Sequence, residues 1–346
     1  MLSNVIASQH DLHAKYGGVV PEIASRAHAE RLTPVVRAAL ETAGVSLDQL
    51  DVIAVANRPG LIGSLLVGVA AAKALALSLN IPLIGVDHVR AHLSAGLLHP
   101  VGAQPALPQE ADDLFPALGL VVSGGHSSIY LCKSALELER LGATIDDAIG
   151  EAYDKCAAML GLPHPGGPQV DAIARTGNDR AHDFPISRLA PGSLDFSFSG
   201  LKTSVLYTIR GQPLPPKHPS AAAPAHPQWE HSASELSDSA RADICASFQR
   251  AAIAAVALKL TRAHEYLQSR GIAPRSLLVG GGVSANSRLR TDLASLAGKF
   301  GVRLVLPRME YCLDNAAMIA GLASIRLAAG ERDDLSLAAS PSGAAN

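Results

Sequence analysis

Aromatic residues make up only 4% of this 346-residue chain, and no long uninterrupted apolar run compensates for them. No consecutive apolar stretch reaches the ~18 residues that cross a bilayer, so no membrane partner is expected. The N-terminal "MLSNVIASQHDLHAKYGG" has no basic region followed by an apolar core, which excludes a recognisable secretory signal. Nor is it an Arg-rich amphipathic transit peptide, so the cytoplasm is the expected compartment, with a mitochondrial homologue second. Cysteine is scarce as well: Cys132, Cys156, Cys245 and Cys312 are scattered without CxxC spacing. That excludes a disulfide frame or a zinc knuckle and reads as buried thiols in a reducing compartment. Strong charge of one sign is also missing, since 29 basic and 31 acidic residues leave a net charge of -2. An RNA partner would need a local basic patch or a helper protein.

What is present is a composition 48% hydrophobic, with 30 glycines and 22 prolines, suited to a globular α/β protein long enough for two medium domains. "RAHAERLTPVVRAALETAG" carries apolar residues at helical spacing and stops at Gly44. "LDVIAVA" reads as a buried strand, "PGLIGSLLVGVAAAKALALSLN" as a turn running into a helix, and "IPLIGVDH" as a second strand. Strands alternating with helices predict a parallel, doubly wound sheet. A second cycle starts at "ALGLVVSGGHSSIYLCK" and continues through the helical "TIDDAIGEAYDKCAAMLGL" and the long helical "DSARADICASFQRAAIAAVALKLTRAHEYLQSRG". It then reaches the strands "SLLVGGGVSAN" and "VRLVLP" and a last helix, "CLDNAAMIAGLASIRLAAG". The Pro/Ala-rich stretch 211–232 reads as a surface insertion and the end, "ERDDLSLAASPSGAAN", as a frayed tail. Recurrence of the βαβ pattern suggests two similar lobes with a cleft between them.

Several residues carry possible chemistry. His88 and His92 lie one helical turn apart in "VDHVRAH", so both imidazoles can face one cation. Equally, one could be a core histidine and the other solvated. A zinc-protease motif needs Glu directly after the first His, and Val89 stands there. Two histidines need a carboxylate to complete an open 2-His-1-carboxylate face. Asp314 in "CLDNAAMIAG" is available, although by itself it reads as a helix N-cap. "VVSGGHSS" and "VGGGVSAN" are glycine turns after apolar strands, where backbone amides can approach an anion. Placed equivalently in two lobes, they suggest a nucleotide held between them, with His126 as a possible proton donor. Glu151, Asp154 and Lys155 share a helix face; a surface salt bridge and a ribose-binding carboxylate both fit. "LDFSFSGLKTSV" alternates around Ser197, Ser199 and Lys202, the pattern of a strand with one buried face.

These motifs also occur in a fixed order: "YGGVVPEIASRAHAE", "PGLIGSLLVG", "VDHVRAH", "VSGGHSSIYL", "GEAYDKCAAMLGL" with "PGGP", "DFSFSGLKT", "GGGVSANSRLR" and "CLDNAAMIAG". The ordered set, spanning roughly residues 3–330, closely resembles the universal tRNA N6-adenosine threonylcarbamoyltransferase family. The resemblance implies an α/β, two-lobed actin/sugar-kinase/Hsp70-like (ASKHA) fold. It implies transfer of a threonylcarbamoyl group from threonylcarbamoyl-AMP to N6 of the adenosine adjacent to the anticodon, at position 37 of tRNAs reading ANN codons. His88, His92 and Asp314 match the family's metal ligands, for one divalent metal, Fe2+ or alternatively Zn2+. Val121, Val122, Ser123, Gly124 and Gly125 match its substrate loop, and Asp154, Gly167, Asp171 and Asn286 match further substrate contacts. No catalytic acid or base follows from the resemblance, and His126 is the nearest candidate. The implied partners are tRNA and helper subunits of the TsaB/TsaE type.

The expected division is lobe I over 1–116, lobe II over 117–330 with the last helix returning to the cleft, and a disordered tail over 331–346. Family members open with a hairpin bearing "GIETSCDDT"-like residues. This chain starts at "MLSNVIASQ", where that hairpin should already be finished, so either its start is set late or the first sheet lacks an edge. Arg58 stands where the family carries a small residue, and is expected to be a solvated loop arginine. Candidate tRNA contacts are Arg26, Arg31, Arg37, Lys202, Arg288 and Arg290. The competing readings are an ATP-dependent kinase or ATPase of the same fold, a non-catalytic partner subunit of the modification complex, and a metal-dependent glycoprotein endopeptidase.

Overall fold

The structure is a computed structural model that describes residues 1–9, 11–12, 20–98, 113–211, 229 and 231–343. Most of the 211–232 insertion therefore lies outside the described residues. The first helix, α1 (Pro21–Ala43), ends where Gly44 adopts a left-handed φ of 68°, as its glycine predicts. A βαβ unit follows: β1 (Ile53–Arg58), α2 (Ile62–Leu79) and β2 (Leu83–Asp87), with β1 and β2 parallel and Ile53 opposite Leu83. Every residue of β2 is buried, which is why "LIGVD" shows no alternation. The short helix α3 (His88–Ser94) leaves directly from the end of β2.

A five-stranded sheet occupies the second part of the chain. Its strands are β3 (Ala117–Val122), β4 (Ser127–Cys132), β5 (Leu138–Ala143), β6 (Ser276–Gly280) and β7 (Arg303–Val305), in the order β5-β4-β3-β6-β7. Strands β3 and β4 form an antiparallel hairpin closed by the Ser123–His126 turn, whereas β3 and β6 run parallel. The helices α4 (Ile149–Met159), α5 (Gly166–Ala174), α6 (Ser199–Arg210), α7 (Asp238–Ser269) and α8 (Ser287–Phe300) surround it. The largest core cluster joins Leu120, Ile129, Tyr153, Phe196, Phe248 and Val279, uniting sheet and helices. The last helix, α9 (Ala316–Ala328), returns to the first sheet, where Met318 and Leu322 pack with Ile84, Val86 and Ala91.

Three sequence expectations change. "LDFSFSG" is not a strand. Phe196 and Phe198 are buried, but Ser199 already begins α6, and Ser197 Oγ and the Phe198 amide both donate to Asp146, which holds the chain at the helix entry. The tail over 331–343 is not frayed. The Asp333 amide donates to the Leu83 carbonyl, its carboxylate accepts from the Gly85 amide at 2.8 Å, and Leu337 packs with Ala72, Ala76 and Leu83. Its apolar residues are too few to register as a strand, but an open edge of β2 receives them. Finally, α2 and α7 are each long and apolar enough to cross a membrane by length and composition alone. Single polar residues such as Lys73 interrupt these segments as runs. Most of α7 lies in the core, while α2 packs against α1 and β1 and leaves Leu66 and Leu77 exposed.

Candidate metal centre

Asp87, the last residue of β2, caps α3: its Oδ1 accepts from the amides of Val89 and Arg90 at 3.0 and 3.1 Å. The cap fixes the first turn, so His88 and His92 lie on one face, edge to face, with ring centroids 4.7 Å apart. Arg58 is not simply solvated: its Nε lies 3.7 Å from Asp87 Oδ2 and supports the capping carboxylate.

Asp314 is not the cap of α9. Asn315 takes that role, accepting from the Met318 amide at 2.9 Å and donating to the Leu313 carbonyl at 2.8 Å. The neighbouring carboxylate is thereby free to point elsewhere. Asp314 Oδ1 stands 3.3 Å from Nε2 of both His88 and His92. The three donor atoms lie within 4.8 Å of one another.

The donor set fits a divalent cation. His92 is wholly buried, and both its ring nitrogens are without a hydrogen-bond partner, because Asp314 is close to Nε2 but off the direction a hydrogen bond requires. A buried imidazole left in that state is costly; a cation on Nε2 would remove the share of the cost that belongs to that nitrogen. Asp314 is 75% exposed and leaves the site open to one side. Desolvation by the surrounding protein raises the Asp314 carboxyl, but the two imidazoles outweigh it and hold the group well below the usual carboxylate range. Burial likewise lowers His88, and Asp314 outweighs it, holding the imidazole above its ordinary value. A cation would favour the Asp314 carboxylate in the same sense and would take the place of the proton on His88.

The two glycine turns differ. Gly124 and Gly125 face open space, with nothing within 4 Å of an added Cβ. Their turn is fixed from behind, by Ser123 accepting from the His126 amide and by the Gly150 amide donating to the Ser123 carbonyl. The second turn is a packing device instead. A Cβ on Gly280 would lie 2.0 Å from the His92 carbonyl, and one on Gly281 would lie 2.3 Å from that of Val122. Glycine there lets α3 press its backbone onto β6. His126, beside the open turn, is lowered by burial and by His88 and His92, so it is a neutral imidazole near pH 7.

The remaining predicted contacts form one neighbourhood. Asp154 accepts from the Gly166 amide at 2.8 Å, and Gly167 faces open space. Asp171 accepts from Ser287 Oγ at 2.8 Å, while Asn286 donates to Gln249 at 2.8 Å and caps α8 through the Leu289 amide. A cavity of about 460 Å³, lined by Arg175, Asn178, Asp179, Gln249, Ser287 and Arg288, adjoins Asp171 and Asn286 through Ser287 and Gln249, and none of the four predicted contacts lines it. Glu151 and Lys155 form the plain surface ion pair. Among the basic candidates, Lys202 pairs with Asp147, Arg288 with Asp179 and Asp292, and Arg290 binds carbonyls. Arg31 donates to the Ser8 carbonyl, which leaves Arg26 and Arg37 on α1 as exposed candidates.

The family model described as tRNA N6-adenosine threonylcarbamoyltransferase matches residues 1–321. The chain belongs to this family. A curated relative of that name from Rhodopirellula baltica is 48% identical over 322 residues, covering 92% of this chain and 84% of the relative. Another from Trichlorobacter lovleyi is 47% identical over 337 residues, covering 97% of this chain and 88% of the relative. Among solved structures, T. kodakarensis HypF superposes with a TM-score of 0.55 at 15% identity, over 86% of this chain and 43% of that one. A second HypF structure, in its phosphate- and nucleotide-bound form, gives 0.53 at 14% identity, over 86% and 41%. At such identity they speak for the fold, which is the ASKHA type expected of the family. Missed by sequence reasoning were Asn315 as the cap that frees Asp314 and Gly280 as the seat of the histidine helix. Asn directly before "AAMIAG" was the available signal for the first.

Proposed function

We propose that this member of the transferase family moves a threonylcarbamoyl group from threonylcarbamoyl-AMP to N6 of adenosine 37 in tRNAs reading ANN codons, at the site formed by His88, His92 and Asp314. The convergence of that carboxylate, from late in the chain, on two imidazoles from its early part carries the reading. The substrate is a mixed carbamoyl–phosphate anhydride. The N6 amine bonds to the carbamoyl carbon, the carbon–oxygen bond to phosphate breaks, and AMP leaves with the electron pair. The amine is a poor nucleophile, because its lone pair is delocalised into the ring, so orientation and charge stabilisation decide the rate.

A divalent metal held by His88, His92 and Asp314 supplies Lewis-acid polarisation when bound. The open 2-His-1-carboxylate set suits Fe2+, with Zn2+ as the alternative. Val121 and Val122, paired within the sheet, and Ser123, held by His126, carry the open turn, and the amides of Gly124 and Gly125 bind the phosphate. Asp154, Gly167, Asp171 and Asn286 hold the nucleoside and threonyl portions. His126, neutral and adjacent to the turn, accepts the amine proton. Lobe I over 1–116 and lobe II over 117–330 bring tRNA to the cleft with helper subunits of the TsaB/TsaE type, in the cytoplasm.

The test is single-turnover transfer onto tRNA from supplied threonylcarbamoyl-AMP. His88→Ala and Asp314→Asn are expected to slow it on the order of 100-fold or more, about 2.7 kcal/mol of barrier, without unfolding the chain. Transfer at the parent rate by a folded His88→Ala, Asp314→Asn double variant would overturn the site assignment.

A further inference from the structure

Asp314 lies in a segment, 307–315, whose only regular element is the short turn Met309–Tyr311. Something other than a helix must set how far the carboxylate stands from the imidazoles. Tyr311 and Cys312 are buried and anchor the segment inward. The polar anchor is the guanidinium of Arg290, on the first turn of α8. Its Nη2 donates to the Pro307 carbonyl at 2.6 Å and lies 3.3 Å from Cys312 Sγ, two residues before Asp314. Its Nε donates to the Ser284 carbonyl at 2.7 Å. Ser284 belongs to the turn that starts at Gly280–Gly281, and Gly280 is pressed against the His92 carbonyl.

One planar group therefore straps the carboxylate's segment to the backbone on which the histidine helix rests. We propose that Arg290 is a positioning residue for the metal centre: it fixes the separation of Asp314 from His88 and His92 by joining the 307–312 segment to the Gly280–Ser284 turn. The inference rests on the metal-site reading above. A lysine cannot replace it, because the two carbonyls are reached from different nitrogens of a rigid fork. Arg290 also begins one turn after Asn286, whose carbonyl accepts the Arg290 amide at 3.1 Å, so the strap shares its helix end with a proposed substrate contact. This places Arg290 with the machinery of the site and not on an RNA-facing surface.

The test is Co2+ binding by the metal-stripped full chain, read from the visible absorption of the bound ion, for the parent, Arg290→Gln and Arg290→Lys, each also in an Asp314→Asn background. Loss of an outer support of a metal ligand typically weakens affinity about 10- to 100-fold, and that is the expected loss for both single variants, with a changed absorption spectrum. In the Asp314→Asn background the Arg290 substitutions are expected to add less than about twofold, because the residue acts through that carboxylate. Equal losses in both backgrounds would mean a general structural role and overturn the proposal. So would folded Arg290→Gln and Arg290→Lys chains that bind Co2+ like the parent. A parent chain that binds no Co2+ refutes the metal-site reading itself, a result separate from either of these.

Discussion

Two glycines 156 positions apart in a chain of this family look alike in sequence and do opposite jobs. Gly280 is a contact: its missing Cβ is the space occupied by the His92 carbonyl. Gly124 is a surface: nothing stands where its Cβ would be. Overpacking a filled site costs about 1–3 kcal/mol, so Gly280→Ala is expected to lower the unfolding free energy by that amount, read as a lower urea midpoint, and to weaken metal binding by displacing α3. Gly124→Ala is expected to leave stability within about 0.5 kcal/mol and to weaken binding of the phosphate-bearing substrate. A reversed pattern in urea unfolding would show that the roles are exchanged. The spacing of His88 and His92 was enough to place both rings on one face, because helical periodicity is local. Residue type did not separate cap from ligand between Asn315 and Asp314, since both types cap helices equally well; the place of Asn315 directly before "AAMIAG" was the one local signal. Only the direction of the Asp314 carboxylate, set by distant packing, distinguishes them.

At the scale of elements, the start of α4 matters most, since it backs the open glycine turn. Asp147 stands just before it and accepts from Lys155 at 2.6 Å and from Lys202 at 2.8 Å, tying α4 to α6. Burial raises the Asp147 carboxyl, but the two ammonium groups outweigh it and hold it below the ordinary carboxylate value. A depressed folded-state value means stability present above the unfolded value, about 3.9, and lost as pH falls through the folded one. Asp147→Asn is therefore expected to be destabilised by about 1 kcal/mol at pH 7. The deficit should shrink below about pH 4 and vanish once the parent's own carboxyl is protonated. Urea unfolding of both chains across that range checks it, and a deficit constant with pH would contradict it. Element types were largely readable, because buried strands such as β2 and β3 and long helices such as α7 have distinct lengths and composition. "LDFSFSG" misled because two phenylalanines two apart mimic a strand while serving as a buried staple into α6.

On the scale of the molecule, the site exists because the chain returns. Helix α9 packs on the first sheet, the 331–343 segment bonds β2 through Asp333 and β1 through Ala338 and Ser340, and the second sheet meets α3 through Gly280. None of these contacts follows from local pattern, and composition alone reached no further than an α/β protein with two repeated units. The ordered motifs did reach the family, which the relatives at 43–48% identity bear out. They reached it because each motif marks a place where backbone or side chain meets a distant element. The tail was misjudged for the reverse reason: few apolar residues suffice when a preformed strand edge receives them. The central claim is that one cation joins the two parts of the chain through His88, His92 and Asp314. Equilibrium dialysis of the full chain against Fe2+ under anaerobic conditions tests it most directly. The parent is predicted to bind close to one equivalent per chain and a folded His92→Ala chain essentially none; retention of the full equivalent by that variant would contradict the account.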